Sequence, residues 1–163
     1  AISIVLWFLA SYGPGKAFND AENIVKTEYA SQNLSEEDLQ QKIATANASG
    51  QTVMVDLYAD WCTACKEFEK YTFPDQNVVN ALSNTAWMQM DLTDNTPQRQ
   101  EVFDRFEVLG LPTILFFDKN GEELRQSRVT GFMKADAFAA HVNNALADSA
   151  LTGKTAADNA RDE

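Results

Sequence analysis

The stretch Asp60-Trp61-Cys62-Thr63-Ala64-Cys65-Lys66 holds the only two cysteines of this 163-residue chain. The two cysteines are separated by two residues and follow a strongly apolar run. The first turn of a helix brings positions i and i+3 to roughly the 4.4–6.8 Å Cα separation that a disulfide requires. The spacing therefore permits a disulfide between Cys62 and Cys65 with little strain, and it makes this pair the first candidate for chemistry.

The composition is that of an ordinary globular protein, with 45% hydrophobic and 10% aromatic residues, and it predicts one domain with tails. The net charge of −11 argues against a nucleic-acid surface, which needs clustered Lys and Arg. Two cysteines are too few for a disulfide scaffold. A structural zinc site needs four ligands, and only one histidine, His141, could accompany the cysteines. The sequence therefore predicts no metal and no other cofactor.

The chain starts with a nearly continuous apolar run from Ala1 to Ala10, which Ser11-Tyr12-Gly13-Pro14-Gly15 ends. About ten residues are too few to cross a bilayer, which takes about 20. This run could be the end of a signal-peptide core or a buried strand. Trp7 and Tyr12, however, are aromatic residues of the kind found at a membrane interface. We therefore favour the stub of a transmembrane helix for residues 1–15, followed by a linker or edge segment at 16–33.

A first helix is predicted from Glu36 to Ala48, because Ser35 can cap it, acidic residues fill its first turn and Ser49-Gly50 can end it. The segment from Thr52 to Ala59 is rich in β-branched and aromatic residues, which predicts a central strand buried on both faces. Asp56 is the single charge in that strand. Because burying an unpaired carboxylate is costly, this position calls for a functional explanation.

The rest of the chain alternates between helical and extended patterns. Helices are predicted at 66–71, 75–82, 97–106 and 134–146, and strands at 86–92, 114–117 and 122–129, with Lys119-Asn120-Gly121 as a hairpin turn. The order βαβ followed by ββα predicts an α/β fold with a mixed β-sheet flanked by helices on both faces. We place the domain at 34–147 and expect the polar, Ala-rich segment 148–163 to be a disordered tail.

Two motifs carry a resemblance to a known family. Val55-Asp56-Leu57-Tyr58-Ala59-Asp60-Trp61-Cys62-x-x-Cys65-Lys66, followed downstream by Gly110-Leu111-Pro112-Thr113, resembles the thioredoxin superfamily from roughly Asn23 to Leu146. The longer stretches Asp56–Phe73, Leu109–Phe117 and Val129–Met133 narrow the resemblance to the C-terminal periplasmic domain of the DsbD family of thiol:disulfide interchange proteins. The resemblance implies a thioredoxin-like fold, and it would explain the apolar start, because that domain follows a transmembrane helix.

The two cysteines receive different predicted roles. Cys62 should lie at the N-cap or in the first turn of its helix, where free N–H groups and the helix dipole favour a thiolate. We predict that Cys62 is the nucleophile and that Cys65, one turn further in, resolves the mixed disulfide. A static structural disulfide is the alternative interpretation.

Two carboxylates are candidates for tuning this pair. The resemblance implies that Asp56 adjusts the cysteines and exchanges a proton with Cys65. Glu69 lies four residues after Cys65, on the same helix face. If both carboxylates lie near the cysteines, they oppose thiolate formation and raise the pKa of Cys62. For Glu69 the alternative is a solvated position paired with Lys66 or Lys70.

Three further residues are predicted to receive the partner. The resemblance implies a cis Leu111-Pro112 bond packed against the disulfide, with exposed backbone beside it that pairs with an extended partner segment, as in strand addition. An ordinary trans proline turn is the alternative. Trp61 is expected to pack beside the site and to shape the docking surface.

The resemblance implies a protein-disulfide reductase that relays electrons by dithiol/disulfide exchange. Its partners would be the transmembrane and N-terminal domains of the same polypeptide, with periplasmic thiol-disulfide proteins and cytochrome c maturation downstream. The location would be the periplasmic side of the bacterial inner membrane, and the domain itself is expected to be a monomer. A free-standing reductase, membrane-tethered or secreted, is the alternative, and a redox-inert binding module is a third.

Overall fold

The computed structural model describes residues 35–159. The predicted membrane stub at 1–15 and the linker at 16–33 lie outside the described residues. Within the described part, no helix combines the length and apolar composition needed to cross a membrane.

The first helix, α1 (Glu36–Ala48), has the predicted bounds. Its N-terminus is a capping box, in which the Ser35 hydroxyl accepts from the Asp38 backbone N–H at 3.1 Å and the Asp38 carboxylate accepts from the Ser35 N–H at 3.2 Å. These bonds satisfy N–H groups that have no partner inside the helix. The helix ends at Ser49, and Gly50 has the positive φ of 75° that follows a helix end.

Four strands form the mixed sheet that the sequence predicts, in the order β2-β1-β3-β4. They are β1 (Thr52–Tyr58), β2 (Thr85–Asp91), β3 (Thr113–Phe117) and β4 (Val129–Thr130). Strand β1 pairs parallel with β2 and antiparallel with β3. The strand that carries Asp56 is therefore internal to the sheet, as predicted.

The cysteine helix, α2 (Thr63–Glu67), follows β1 and continues as a π-helical turn over Phe68–Thr72. Two more helices lie between the strands as predicted. Helix α3 (Gln76–Ala81) begins after the cap Asp75, and α4 (Pro97–Arg105) begins after the cap Thr96 with proline in its first turn. In both, a side-chain oxygen of the capping residue accepts a hydrogen bond from the helix backbone.

The predicted return strand at 122–129 is wrong for most of its length. The carboxylate of Asp118 accepts hydrogen bonds from the backbone N–H groups of Asn120 and Glu122 and holds a turn. One isolated bridge, Phe117 to Glu123, follows, and then a 3-10 helix at Arg125–Ser127. The polar run after Gly121 has no alternating apolar face to hold it in a sheet, so regular pairing resumes only at β4.

The last helix, α5 (Ala135–Asn159), extends beyond the predicted end at Leu146. Phe138, Val142 and Ala145 anchor its first half in the core. The helical backbone continues to Asn159, where the sequence predicted a disordered tail. Alanine is the strongest helix former, so an Ala-rich segment can continue an anchored helix without an apolar face of its own.

Apolar side chains cover both faces of the sheet. On one face the core cluster joins β1 to side chains of α1, of α4 and of the residue that follows α4: Val53, Val55, Leu57, Leu39, Ile43, Val102 and Phe106. On the other, the ring of Phe138 in α5 lies 5.7 Å from Phe68 and 6.4 Å from Phe116. Since strand residues alternate, Asp56 points away from Val55 and Leu57. It lies on the face next to the π-helical turn, because Gln89 bonds both Asp56 and Glu69 of that turn.

Candidate active site

The two cysteines lie at the start of α2, directly after the central strand. Cys62 is the N-cap residue, and its sulfur accepts a hydrogen bond from the Cys65 backbone N–H at 3.2 Å. The two residues form a disulfide with a Cα separation of 5.3 Å, as the spacing predicted. Cys62 is 5% exposed and Cys65 1%, so Cys62 is the more accessible residue of the pair. A thiolate at Cys62 would accept hydrogen bonds from the backbone N–H groups of the first helical turn.

The loop before β3 reaches this disulfide. Leu111 packs against the cluster that Ala59, Cys62 and Cys65 form. The Leu111-Pro112 bond is cis, which confirms that part of the prediction. The Pro112 carbonyl accepts from the Gly131 N–H at 3.2 Å, whereas no backbone hydrogen bond of Leu111 occurs within residues 35–159. The backbone N–H and carbonyl groups of Leu111 are therefore available to pair with a partner segment.

Trp61 is 58% exposed, yet two contacts fix its ring. Its indole nitrogen donates to the Thr93 carbonyl oxygen at 3.1 Å, and the guanidinium of Arg99 lies over the ring at 5.6 Å. Arg99 also lies 5.0 Å from the Phe103 ring. The Thr93 hydroxyl in turn accepts from the Asp60 backbone N–H at 2.8 Å. The exposed indole is therefore held in one orientation beside Cys62.

Asp56 is buried, with 1% of its surface exposed. One carboxylate oxygen, Oδ2, accepts from Gln89 Nε2 at 3.1 Å, while Oδ1 has no hydrogen-bond partner among the described residues. Burial raises the pKa of Asp56 to about 7, the Gln89 hydrogen bond opposes that rise, and the charge of Glu69 adds to it. Asp56 can therefore gain or lose a proton near neutral pH.

Glu69 is exposed on the π-helical turn, and its Oε1 accepts from the same Gln89 nitrogen at 3.0 Å. The two lysines that were its alternative partners have other contacts. Lys66 forms an ion pair with Asp60 at 3.2 Å, and the Lys70 ammonium lies 5.0 Å from the Tyr71 ring centre. Glu69 is thus electrostatically coupled to Asp56 through a shared donor.

Tyr58 adds a titratable group to the rim of the cysteine cluster. Burial raises the pKa of its phenol to about 12, and the charges of Glu69, Asp60 and Asp91 and a hydrogen bond to Asp60 act in the same direction. The phenol is therefore protonated at neutral pH. The surroundings of the disulfide are acidic, which is a setting that disfavours further negative charge.

The sequence singled out Cys62, Cys65, Asp56, Glu69, Trp61 and Leu111-Pro112 as site residues, but it did not single out Gln89, Thr93 or Arg99. Gln89 is the amide in an otherwise apolar part of β2, and in the parallel register it lies opposite Asp56. The sequence alone shows this amide, but only the pairing register of β1 and β2 shows that its partner is Asp56. Among the described residues, no group of three or more His, Cys, Asp or Glu side chains could hold a metal ion.

The thioredoxin-like domain family matches residues 39–146, which is more than half of the chain. Together with the strand order and the disulfide at the start of α2, this match shows that the chain belongs to the thioredoxin-like domain family.

Within that family, the chain is similar to thiol:disulfide interchange proteins named DsbD. It is 68% identical over 110 residues to the protein from Pseudoalteromonas atlantica, covering 68% of this chain and 19% of that relative. It is 45% identical over 150 residues to the protein from Colwellia psychrerythraea, covering 87% of this chain and 25% of that relative. The chain thus spans about a quarter or less of the curated relatives' length.

The solved structures agree. The C-terminal domain of DsbD from Neisseria meningitidis in the oxidised form superposes with a TM-score of 0.58 at 29% identity, covering 67% of this chain and 94% of that domain. The reduced form gives a TM-score of 0.55 at 30% identity, covering 64% and 92%. These comparisons confirm the predicted resemblance and the predicted fold class.

Proposed function

We propose that this chain is a protein-disulfide reductase domain that exchanges its Cys62–Cys65 disulfide with partner proteins. The observation that carries the proposal is the disulfide at the N-terminus of α2, bordered by Leu111 and by the exposed indole of Trp61. The names and the domain structure of the relatives support the same chemistry. The cysteine pair takes part in the reaction directly, and no other redox group is required.

The reaction is two successive thiolate attacks. In the reduced domain, the Cys62 thiolate attacks one sulfur of a partner disulfide, forms a mixed disulfide and releases the other partner sulfur as a thiolate. The Cys65 thiolate then attacks the Cys62 sulfur and releases the partner's second sulfur. The partner disulfide gains two electrons and the cysteine pair loses them.

Asp56 takes part in the exchange reaction by accepting and returning a proton. Cys65 is buried and must lose a proton before it attacks. Asp56 is buried beside the π-helical turn that continues α2, because Gln89 links it to Glu69 of that turn, and its pKa is about 7. We assign Asp56 as the group that accepts this proton and returns it when the pair is reduced. Glu69 adds negative charge beside Asp56, so the two carboxylates raise the pKa of Cys62 and keep the free domain unreactive.

Partner docking uses the exposed side of the same site. Trp61 offers a fixed aromatic surface, and Leu111 offers unpaired backbone groups beside the cis Pro112 bond. An extended partner segment would pair with Leu111 in the manner of an added strand. The partner's disulfide would then lie against the Cys62 sulfur.

In the cell we propose a periplasmic electron relay. Because the relatives are four to five times longer than the matched region, further domains of the same polypeptide are the first candidates for partners. Electrons would arrive from a transmembrane domain and pass to an N-terminal periplasmic domain and on to other thiol-disulfide proteins. Both steps are intramolecular, so effective concentration replaces a strong interface. The domain itself acts as a monomer.

The direct test traps the mixed disulfide. A Cys65→Ser variant should accumulate a covalent adduct through Cys62 when it meets a disulfide partner, because the second attack is removed. Cys62→Ser is the matched control and should form no such adduct. Equal trapping by the two variants would contradict the assignment of Cys62 as the nucleophile. No trapping by Cys65→Ser would contradict thiol exchange and favour an inert binding module.

The identity of the trapped protein separates the relay from a general reductase. In membranes that contain the full-length gene product, the relay predicts an adduct with a domain of that polypeptide. A range of unrelated secreted proteins in the adduct would instead support the free-standing reductase.

A further inference from the structure

Gln89 on β2 lies between the two carboxylates of the site. It is the register partner of Asp56 on β1, and its Nε2 donates to Asp56 Oδ2 at 3.1 Å and to Glu69 Oε1 at 3.0 Å. We propose that Gln89 is a positioning residue that ties these two carboxylates together and directs the proton of Asp56 to its other oxygen, Oδ1. The inference rests on the proposed role of Asp56 in proton exchange.

The chemistry of an amide gives the first step. The NH2 group of glutamine has two hydrogens and no acceptor site. With both hydrogens given to Asp56 and Glu69, Nε2 presents only donors to the two carboxylates. A proton on Asp56 Oδ2 would turn the acceptor of this hydrogen bond into a hydroxyl oxygen, which accepts more weakly than a carbonyl oxygen. Gln89 therefore favours Oδ2 as the carbonyl oxygen of the neutral carboxyl group and Oδ1 as the oxygen that carries the proton.

The environment of Oδ1 gives the second step. This atom is buried and has no hydrogen-bond partner among the described residues. A negative charge on an unsolvated, unpaired oxygen is costly, and a proton on Oδ1 removes that cost. The neutral carboxyl group thus has Oδ2 as its carbonyl oxygen, held by Gln89, and Oδ1 as its hydroxyl oxygen. Within residues 35–159 no group occupies Oδ1 by a hydrogen bond, so this oxygen can give the proton to the reacting sulfur.

The charges around Asp56 and Glu69 decide whether removal of Gln89 raises or lowers the pKa of Asp56. Glu69 opposes the ionised form of Asp56, and Gln89 is the donor that favours it. Asp60 and Asp91 act on the neighbouring Tyr58, whose phenol donates to Asp60. Since these groups are acidic or remain neutral, Gln89 is the main support for a negative charge on Asp56. Its removal should make Asp56 harder to ionise.

Infrared spectroscopy tests the proton's position directly. The probe is the oxidised protein with 13C-labelled aspartate carboxyl groups, at a pH where Asp56 is protonated, with the Asp56→Asn spectrum subtracted to assign the band. If Oδ2 is the carbonyl oxygen, Gln89→Met removes its donor and the C=O stretch moves to higher frequency. If the proton were on Oδ2, the carbonyl would be the unpaired Oδ1 and the band would not rise, which would overturn the proposal.

A titration series supplies a second, independent measurement. Carboxyl NMR of the oxidised protein measures the pKa of Asp56. Gln89→Met should raise this pKa by about one pH unit, because a hydrogen bond to a charged group is lost. Gln89→Lys should lower it, because a positive charge takes the donor's place. Gln89→Asn keeps the amide but shortens its reach, and it should behave like Gln89→Met. Shifts of the same sign in the Met and Lys variants would contradict a positioning role.

The matched control is Gln100→Met on α4. Gln100 also donates its amide to a carboxylate, that of Asp104 at 2.9 Å, but the pair is exposed and lies four residues apart on one helix. This variant should leave the band and the pKa of Asp56 unchanged. Because every measurement uses the oxidised protein without any exchange partner, a failure here is distinct from a failure of the cysteine-trapping experiment.

Discussion

The indole nitrogen of Trp61 donates to the carbonyl oxygen of Thr93, 3.1 Å away, although more than half of the Trp61 side chain is exposed. Exposed aromatic side chains usually lose conformational freedom when a partner binds. Here the hydrogen bond and the Arg99 guanidinium fix the ring in advance. The surface next to Cys62 is therefore preorganised for docking.

Arg99→Ala should weaken docking without changing the chemistry of the cysteines. A cation–π contact at an exposed site contributes about 0.5–1 kcal/mol. We therefore expect kcat/KM for a protein disulfide to fall roughly two- to fivefold, mainly through KM, with little change for a small-molecule disulfide. Steady-state kinetics with both substrates measure the difference.

Arg99→Lys distinguishes stacking from charge. Lysine keeps the positive charge but lacks the planar group that stacks on the ring. The loss should resemble that of Arg99→Ala, whereas full activity in the lysine variant would mean that charge alone acts. Lys119→Ala removes one charge in the turn before Gly121 and serves as the control. An equal loss there would contradict the role of Arg99.

Asp56→Asn and Glu69→Gln should each lower the pKa of Cys62 in the reduced domain. A neighbouring carboxylate opposes formation of a thiolate, so its neutralisation favours the thiolate, by about one pH unit for each residue. Thiolate absorbance against pH measures the effect. The effects of the two substitutions should not be additive, because Gln89 couples the carboxylates. Values that stay unchanged or rise in both variants would refute the tuning role.

The burial of Asp56 predicts a pH-dependent stability. Its pKa is about 7 in the folded protein against roughly 4 in an unfolded chain. Between these values the folded state binds more protons, so the free energy of unfolding falls as the pH rises through this window. Asp56→Asn removes this destabilisation. At pH 8 the oxidised variant should be more stable than the wild type by roughly 2–4 kcal/mol.

Urea unfolding at two pH values checks this sign. At pH 4, where Asp56 is protonated in the folded protein, the two proteins should differ little. The gain should appear on passing to pH 8. Asp94→Asn alters an exposed carboxylate and provides the control. A gain of the same size at both pH values would show that better packing, and not the removed charge, stabilises the variant.

Cys62 and Gln89 differ in how far their place in the site could be inferred from the sequence alone. The placement of Cys62 at a helix start and of Asp56 in a central strand rests on local patterns, namely an apolar run, a spacing and a cap. Gln89 lies 33 residues from Asp56 in sequence, and only the parallel register of β1 and β2 brings them together. Thr93 and Arg99 reach Trp61 in the same non-local way.

The segment after Gly121 shows a different limit. Asn120-Gly121 indicated a hairpin, and Gly121 has the positive φ of 80° that such turns use. The turn formed, but the chain beyond it did not pair as a regular strand. One side-chain oxygen of Asp118, Oδ1, holds the turn backbone, and the ion pair of Arg128 with Glu123 lies within the returning segment. These polar contacts compete with a strand ladder, and no short pattern in the sequence specifies them.

The acidic surroundings of the disulfide also predict its reduction potential. Carboxylates beside the cysteines destabilise the thiolate that appears on reduction, so they favour the disulfide and make the domain a better donor. We expect a potential nearer to the roughly −270 mV of thioredoxin than to the roughly −120 mV of DsbA. Equilibration with a glutathione buffer measures it. Asp56→Asn with Glu69→Gln should shift the potential upward, whereas a wild-type value close to that of DsbA would be incompatible with a reductant.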